Sequence, residues 1–513
     1  MDPGIARRFA DLALNEAERL GASYADVRLY LEDVGEGFSV KDDVVESVAS
    51  DSDSGAGIRV LVDGAWGFAS FSDLSRSTST CLNDIAAAVY SAVQLARLSA
   101  RLRTFPIELA PLGDVPNEAE YATPFRIDPF TVPAREKIAL LRDFCAALRS
   151  ESDLIAIRGC SMGASRTTQL FASTERGRVA RRYVSQTIRH CALHVSVVAI
   201  DGDEMQQRSL GGLDGIGGAG GFELVLSVDG KAVAERLVAE ALELMAAPEC
   251  VPGTTDIIVM PEHLALHVHE TGHGFEGDRL LGYEQTYVGN TFINELLDRI
   301  GEHPFASEAV NIVADATAPG GYGTFGFDDE GVPAQRFFLV ERGTLMNVLT
   351  SRETVSQINR RVGRELYRHS NGTMRASAYT RMPLIRMTNI SLLPGTATLR
   401  ELISRVDRGL LLDGTTSWSM SEDRKNFDFG VQHAHEIING RLGRVVRNAG
   451  YTGSNLAFWR SCEAVAGEDE SFVLNTPNCG KGQPGQSMST GHQASPALFR
   501  DVQVYNRKQR GGA

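Results

Sequence analysis

The sequence predicts an α+β protein in two parts, and three observations carry the prediction. The first 247 residues pass from helical to strand periodicity and back in an order that occurs twice: helix, strands, helix. From about residue 255 onward short strand-like runs dominate, and one histidine-rich stretch, Leu266–Asp278, interrupts them with helical spacing. At 513 residues the chain is too long for one compact core. Two domains are therefore expected, an N-terminal one of duplicated helix–strands–helix units (1–247) and a C-terminal one of mainly antiparallel sheet (255–513), joined through Pro248-Glu249-Cys250-Val251-Pro252-Gly253.

Taken in order, Ile5, Phe9, Leu12, Ala13, Ala17 and Leu20 share one face of a helix that Gly21 ends. Alternation follows at Val27, Leu29 and Leu31, at Phe38 and Val40, and through Ile58–Val62 and Trp66–Ala69, with Asp63-Gly64 as a hairpin turn between the last two runs. A second helix spans about Ser77 to Leu102, and the polar, proline-bearing stretch from Thr104 to Pro133 reads as a surface crossing. The order then repeats with a helix at 135–149, strands at Ile155–Arg158, Gln169–Ala172, Val179–Thr187 and Cys191–Ala199, and a helix at 230–247. Gly215-Ile216-Gly217-Gly218-Ala219-Gly220 fits the dinucleotide fingerprint, but it neither directly follows an apolar strand nor opens a helix, so it is read as a mobile glycine loop. Beyond the linker come the apolar run Ile257–Met260, the histidine-bearing helix, and strands at Arg336–Val340, Leu345–Leu349, Leu384–Leu393, Gly409–Leu412, Phe427–Val431, Glu436–Ile438 and Phe472–Leu474. Few helices are expected there.

Composition narrows the function. A formal charge of −14 with no basic block argues against a nucleic-acid partner. No run of eighteen apolar residues suits a membrane span, and the N-terminus lacks a signal-peptide apolar region, so a cytoplasmic location is expected. Seven cysteines, odd in number and without a C-x-x-C pair, are not a disulfide framework. Cys479 differs from the others, since it lies in a glycine- and proline-rich stretch, Asn475–Gly485, where a core cysteine is not expected.

The chemistry concentrates at His269-Glu270-Thr271-Gly272-His273. Side chains four apart on a helix lie one above the other, so His269 and His273 can reach one metal ion, while Glu270 can take a proton from a metal-bound water. A polar turn of a surface helix would show the same pattern. Four of the eleven histidines fall between His263 and His273, however, and Gly272 and Gly274, costly in a helix, suggest close backbone approach. A catalytic zinc needs a third protein ligand. The HExxHxxGxxH class is excluded, since Glu276 and Arg279 stand where its later residues would be; Glu295 and Cys479 are equal candidates, and His433 and His435 share parity with buried Phe427, Phe429 and Val431 and are read as packing.

Further motifs bring a resemblance into view. Gly55-Ala56-Gly57-Ile58-Arg59-Val60, Gly64-Ala65-Trp66-Gly67-Phe68, His273-Gly274-Phe275-Glu276-Gly277-Asp278, Asp328-Asp329-Glu330-Gly331, Arg386-Met387-Thr388-Asn389 and Asn478-Cys479-Gly480-Lys481-Gly482-Gln483 occur in the order and over the span that resemble the TldD/PmbA family of metallopeptidases. The resemblance implies a zinc hydrolase with His269, His273 and Cys479 as ligands and Glu270 as general base. It also implies an extended or unfolded peptide substrate, bound as an added strand, and a dimer, with a TldE/PmbA-like homologue lacking the motif as a possible second subunit. A pathway-specific peptidase that trims a modified peptide, or releases a small product from a carrier, is the second reading; a non-catalytic partner subunit is the third. One departure stands out. The family has three residues between glutamate and second histidine and this chain has two, Thr271-Gly272, which leaves His267 as an alternative to His269.

Overall fold

The computed structural model describes residues 1–175, 181–284 and 291–510, and the chain is α+β with mainly antiparallel sheets. Among the described residues no helix is long and apolar enough to cross a membrane. Asp2 caps the first helix, α1 (Pro3–Arg19), by accepting from the amides of Gly4 and Ile5, and Pro3 starts it. There follow β1 (Tyr24–Lys41), β2 (Val44–Val62), β3 (Ala65–Ser72), α2 (Thr78–Ala100), β4 (Glu118–Ala122), α3 (Ala134–Ala147), β5 (Ile155–Thr174), β6 (Arg181–Asp201), β7 (Glu204–Ser209), β8 (Ile216–Ala219), the single turn α4 (Glu223–Leu226) and α5 (Gly230–Ala246).

The two helix–strands–helix units share one sheet, ordered β3-β2-β1-β5-β6-β4, with β7 and β8 also on β6. They meet where β1 runs antiparallel to β5. Helices α1 and α2 bury Val27, Leu29, Ile58 and Val60, whereas α3 and α5 bury Phe38, Cys160, Met162 and Val195 farther along the same strands. One sheet therefore carries two separate apolar cores, which is the physical content of the repeated pattern.

Local alternation misjudged lengths. The runs expected at Val27–Leu31 and Phe38–Val40 are one strand, β1, and those expected at 155–158 and 169–172 are both within β5. Polar residues between them stay in the ladder, because backbone pairing satisfies N–H and C=O groups whatever the side chain. The strand expected from Val179 begins outside the described residues; β6 is described from Arg181. The crossing from Thr104 to Pro133 contributes β4, parallel to β6. Gly215–Gly220 is not a loose loop: Ile216–Ala219 pairs with β6, and a Cβ on Gly218 would lie 2.1 Å from the Gly320 carbonyl oxygen, so glycine is there for close packing.

The C-terminal half is built on β9 (Gly253–Val259), which lies parallel to the strand Arg408–Met420 and antiparallel to Ala497–Asn506 in a seven-stranded sheet. Helix α6 (Pro261–Gly272) leaves the end of β9 with Pro261 in its first turn. Leu264, Ala265 and Val268 join Phe427, Phe429, Phe458 and Trp459 in the core. The helix Arg352–Val362, absent from the sequence reading, is held by a Ser351/Thr354 capping box and by Gly363 at φ +69°. Its apolar stripe is only three residues, Val355, Ile358 and Val362, set among polar and charged ones, which is a short signal for a helix.

Candidate metal centre

Every residue of α6 from His263 to Gly272 is buried, so its histidines need partners inside the protein. His269 lies in the last turn and His273 at the C-cap, where a 3₁₀ turn, His273–Phe275, takes over. Gly272 permits this junction: a Cβ there would lie 2.5 Å from the Met387 sulfur. Cys479 lies not in an irregular loop, as its composition suggested, but in a hairpin of Phe472–Lys481 with Gln486–Ala494, opposite Met488. The register slips between Thr476 and Cys479, and such a bulge bends a strand and re-aims its side chains.

The hairpin, the helix end and the cap bring three groups together. One ligand atom each from His269, His273 and Cys479 lies within 4.8 Å of the other two, and all three residues are buried. The Cys479 sulfur is 3.2 Å from His273 Nε2. Among the described residues no other trio of histidine, cysteine or carboxylate side chains converges in this way. The three share a cavity of about 310 Å³ with Glu270, Arg424, Asp214 and Trp418.

Electrostatics suit the donors to their task. Burial holds His269 below the usual imidazole range and therefore neutral. Burial also pushes the Cys479 thiol up, but the neighbouring charges of His273 and Arg386 outweigh it and the net shift is downward, toward the thiolate. Glu276 pairs with His273 Nδ1 at 3.2 Å, and Arg279 Nε and Lys481 Nζ lie 2.5 and 3.4 Å from the same carboxylate oxygen. Burial opposes its charge, yet Lys481 and Arg279 hold the carboxyl well below its ordinary range. With Nδ1 donating to Glu276, Nε2 is the His273 nitrogen that faces Cys479, and the proton shared across that 3.2 Å contact is the one a metal would displace.

Glu270 is 5 % exposed and makes an ion pair with Arg424. Arg424 belongs to the turn after Arg408–Met420, at φ +60°, and its carbonyl accepts from Asn455 Nδ2 at 2.6 Å. The other histidines that the sequence brought forward, His263, His267, His433 and His435, point elsewhere. His267 Nδ1 is 3.1 Å from the Tyr451 hydroxyl, its Nε2 is 2.9 Å from Asn455 Oδ1, and its ring stacks on Phe458, so it is not drawn into the site in place of His269. His263 meets Thr415, and His433 packs against His435 at 4.8 Å between ring centroids. Glu295, the competing third ligand, has a side chain outside the described residues. Sequence reasoning missed Arg424, Glu276 and also His492, whose Nε2 lies 2.7 Å from His269 Nδ1. For Glu276 the signal was present in His273–Asp278, where it follows His273 by three residues, but Arg424 and His492 are single polar residues far along the chain.

Comparison with known proteins agrees over most of this length. Family models described as PmbA/TldA metallopeptidase domain 1, central domain and C-terminal domain match residues 25–96, 127–245 and 252–504. A metalloprotease of Methanocaldococcus jannaschii is 27% identical over 491 residues, covering 94% of this chain and 97% of that protein. A zinc metalloprotease TldD homolog of Saccharolobus solfataricus is 24% identical over 245 residues, 47% of this chain and 49% of its own. In fold, the crystal structure of TldE from Thermococcus kodakarensis superposes with a TM-score of 0.67 at 15% identity, over 97% of this chain and 99% of that one.

Proposed function

The chain belongs to the PmbA/TldD family of metallopeptidases, and on that premise we propose that it is a zinc-dependent peptidase that cleaves amide bonds in extended or unfolded peptides. The observation that carries the reading is the convergence of His269, His273 and Cys479 on a cavity that Glu270 also lines. Two imidazoles and a thiol inclined to ionise fit zinc, and three protein donors beside an open cavity leave the coordination position a hydrolase needs. Bound zinc supplies Lewis-acid polarisation of the scissile carbonyl and acidifies a water.

The chain's own groups supply the rest. Glu270 takes the proton of the attacking water and returns it to the leaving amine, while Arg424 fixes its carboxylate through their ion pair. The strand Phe472–Lys481 pairs with Gln486–Ala494 along one edge and with no other strand among the described residues. Thr476, Asn478 and Gly480 of that strand line the cavity, which supports binding of the substrate backbone as an added strand. Asp214 comes to the same cavity from the loop between β7 and β8, so in this reading the catalytic unit 255–513 borrows one wall from the unit 1–247. The shared fold with TldE supports a second subunit of the same architecture.

The test is hydrolysis of an unstructured peptide by the zinc-loaded protein, with Glu270→Gln as control. Loss of a general base costs about 10²–10⁴ in rate. Full activity in the variant would remove Glu270 from the mechanism, and no cleavage by the wild type of any unstructured peptide would turn the reading toward the pathway-specific alternative.

A further inference from the structure

A neutral imidazole carries one N–H and one bare nitrogen, and only the bare nitrogen can bind a metal. Each histidine ligand must therefore be held in the correct tautomer by whatever meets its other ring nitrogen. For His273 this is a carboxylate, which can only accept, so the proton lies on Nδ1. For His269 it is another imidazole: Nδ1 lies 2.7 Å from His492 Nε2. Such a contact is ambiguous taken alone, because either nitrogen can be the donor.

The ambiguity is resolved one bond farther out. His492 Nδ1 lies 2.8 Å from the Ile390 carbonyl oxygen, which can only accept. The single proton of His492 is therefore on Nδ1 and its Nε2 is bare. That bare nitrogen must accept from His269 Nδ1–H, which leaves His269 Nε2 unprotonated. The Thr490 hydroxyl, 3.0 Å from His492 Nε2 and 3.4 Å from His269 Nδ1, can turn to donate to the first or accept from the second without changing this outcome. The two rings stand 88° apart, so the contact is an N–H directed at a lone pair and not a stack. His492, Thr490 and Ile390 are each 0 % exposed, so water offers no competing partner.

We propose that His492 is a positioning residue: through the relay Ile390 carbonyl, His492, His269 it fixes the tautomer that presents His269 Nε2 to the metal. The inference rests on the zinc reading above. The hairpin then has two duties, since Cys479 on one strand is a ligand and His492 on the other, paired across from Leu474, orients a ligand on α6. It also gives the shortened motif a means of holding His269 in place of the farther His267.

The test compares zinc dissociation constants, by chelator competition on the purified full chain, for the wild type, His492→Phe and His492→Gln, each with His269 intact or as His269→Ala. Phenylalanine keeps the ring and removes the acceptor; glutamine restores an acceptor oxygen. The expected result is zinc binding weakened about 10- to 100-fold in His492→Phe and close to wild type in His492→Gln, with no added loss from His492→Phe when His269 is already alanine. Unchanged affinity in His492→Phe, or an equal loss in the His269→Ala background, overturns the proposal. A second measurement needs neither variant nor metal. In the metal-free wild type, long-range ¹H–¹⁵N spectra of labelled histidines are expected to show His269 protonated on Nδ1, and protonation on Nε2 refutes the relay. A wild type with the Nδ1–H tautomer that binds no zinc would instead sink the metal reading alone.

Discussion

Replacing Glu276 by glutamine tests whether the buried charges around His273 serve the metal site as well as the fold. Glu276 is 0 % exposed, and His273 Nδ1 at 3.2 Å, Arg279 Nε at 2.5 Å and Lys481 Nζ at 3.4 Å all converge on one of its oxygens. The amide keeps the shape but loses the charge that two cations face. Hydrogen bonds to a charged group contribute about 1.5–3 kcal/mol each, and removing one partner from a buried ionic cluster costs about 3–5 kcal/mol. The metal-free variant should therefore be about 3–5 kcal/mol less stable in denaturant unfolding. Zinc affinity should fall about 10- to 100-fold, because a neutral amide holds His273 Nδ1–H less firmly. Chelator competition at a temperature where both proteins are folded separates the two effects. A zinc affinity within about twofold of wild type would refute the role of Glu276 in orienting His273.

Three further outcomes follow from the same packing. His267→Ala should keep its zinc, because that ring stacks on Phe458 and bonds Tyr451 and Asn455 instead of facing the cavity, while stability falls by about 3–5 kcal/mol; metal analysis beside thermal unfolding checks both. Gly272→Ala should cost about 1–3 kcal/mol, since its Cβ would meet the Met387 sulfur at 2.5 Å, and pairing it with Met387→Ala should recover part of that loss in denaturant unfolding. Stability should also fall on mild acidification. Burial lowers His263 and His190 to about 4 and His267 to about 3, so the unfolded chain takes up protons below about pH 6.5 that the fold excludes. The contribution is complete above that pH and is lost as pH falls toward 4 and 3, and the denaturant midpoint between pH 7.5 and 4 should record it.

How much was legible in the sequence depended on whether the signal was local. His269, Glu270 and His273 announce themselves because a helical spacing of four is a geometric statement in itself. The repeated helix–strands–helix order was legible for the same reason. Strand lengths were not: Gly159 and Gly163 fall inside β5, and Ser47 and Ser50 inside β2, because an antiparallel ladder carries polar residues that alternation treats as gaps. Cys479 stood out by composition, yet Pro477 and Gly480 argued for a loop where a bulged hairpin exists. Arg424 and His492 left no mark at all, since each acquires its part only when a turn or a strand from elsewhere in the chain folds against α6.

The most direct test of the central claim is the zinc content of the purified protein, measured for the wild type beside His269→Ala, Cys479→Ala and His267→Ala. One zinc per chain in the wild type and in His267→Ala, lost from the other two, is the result the His269, His273 and Cys479 site predicts. Zinc retained without His269 or Cys479, or lost with His267, would contradict it.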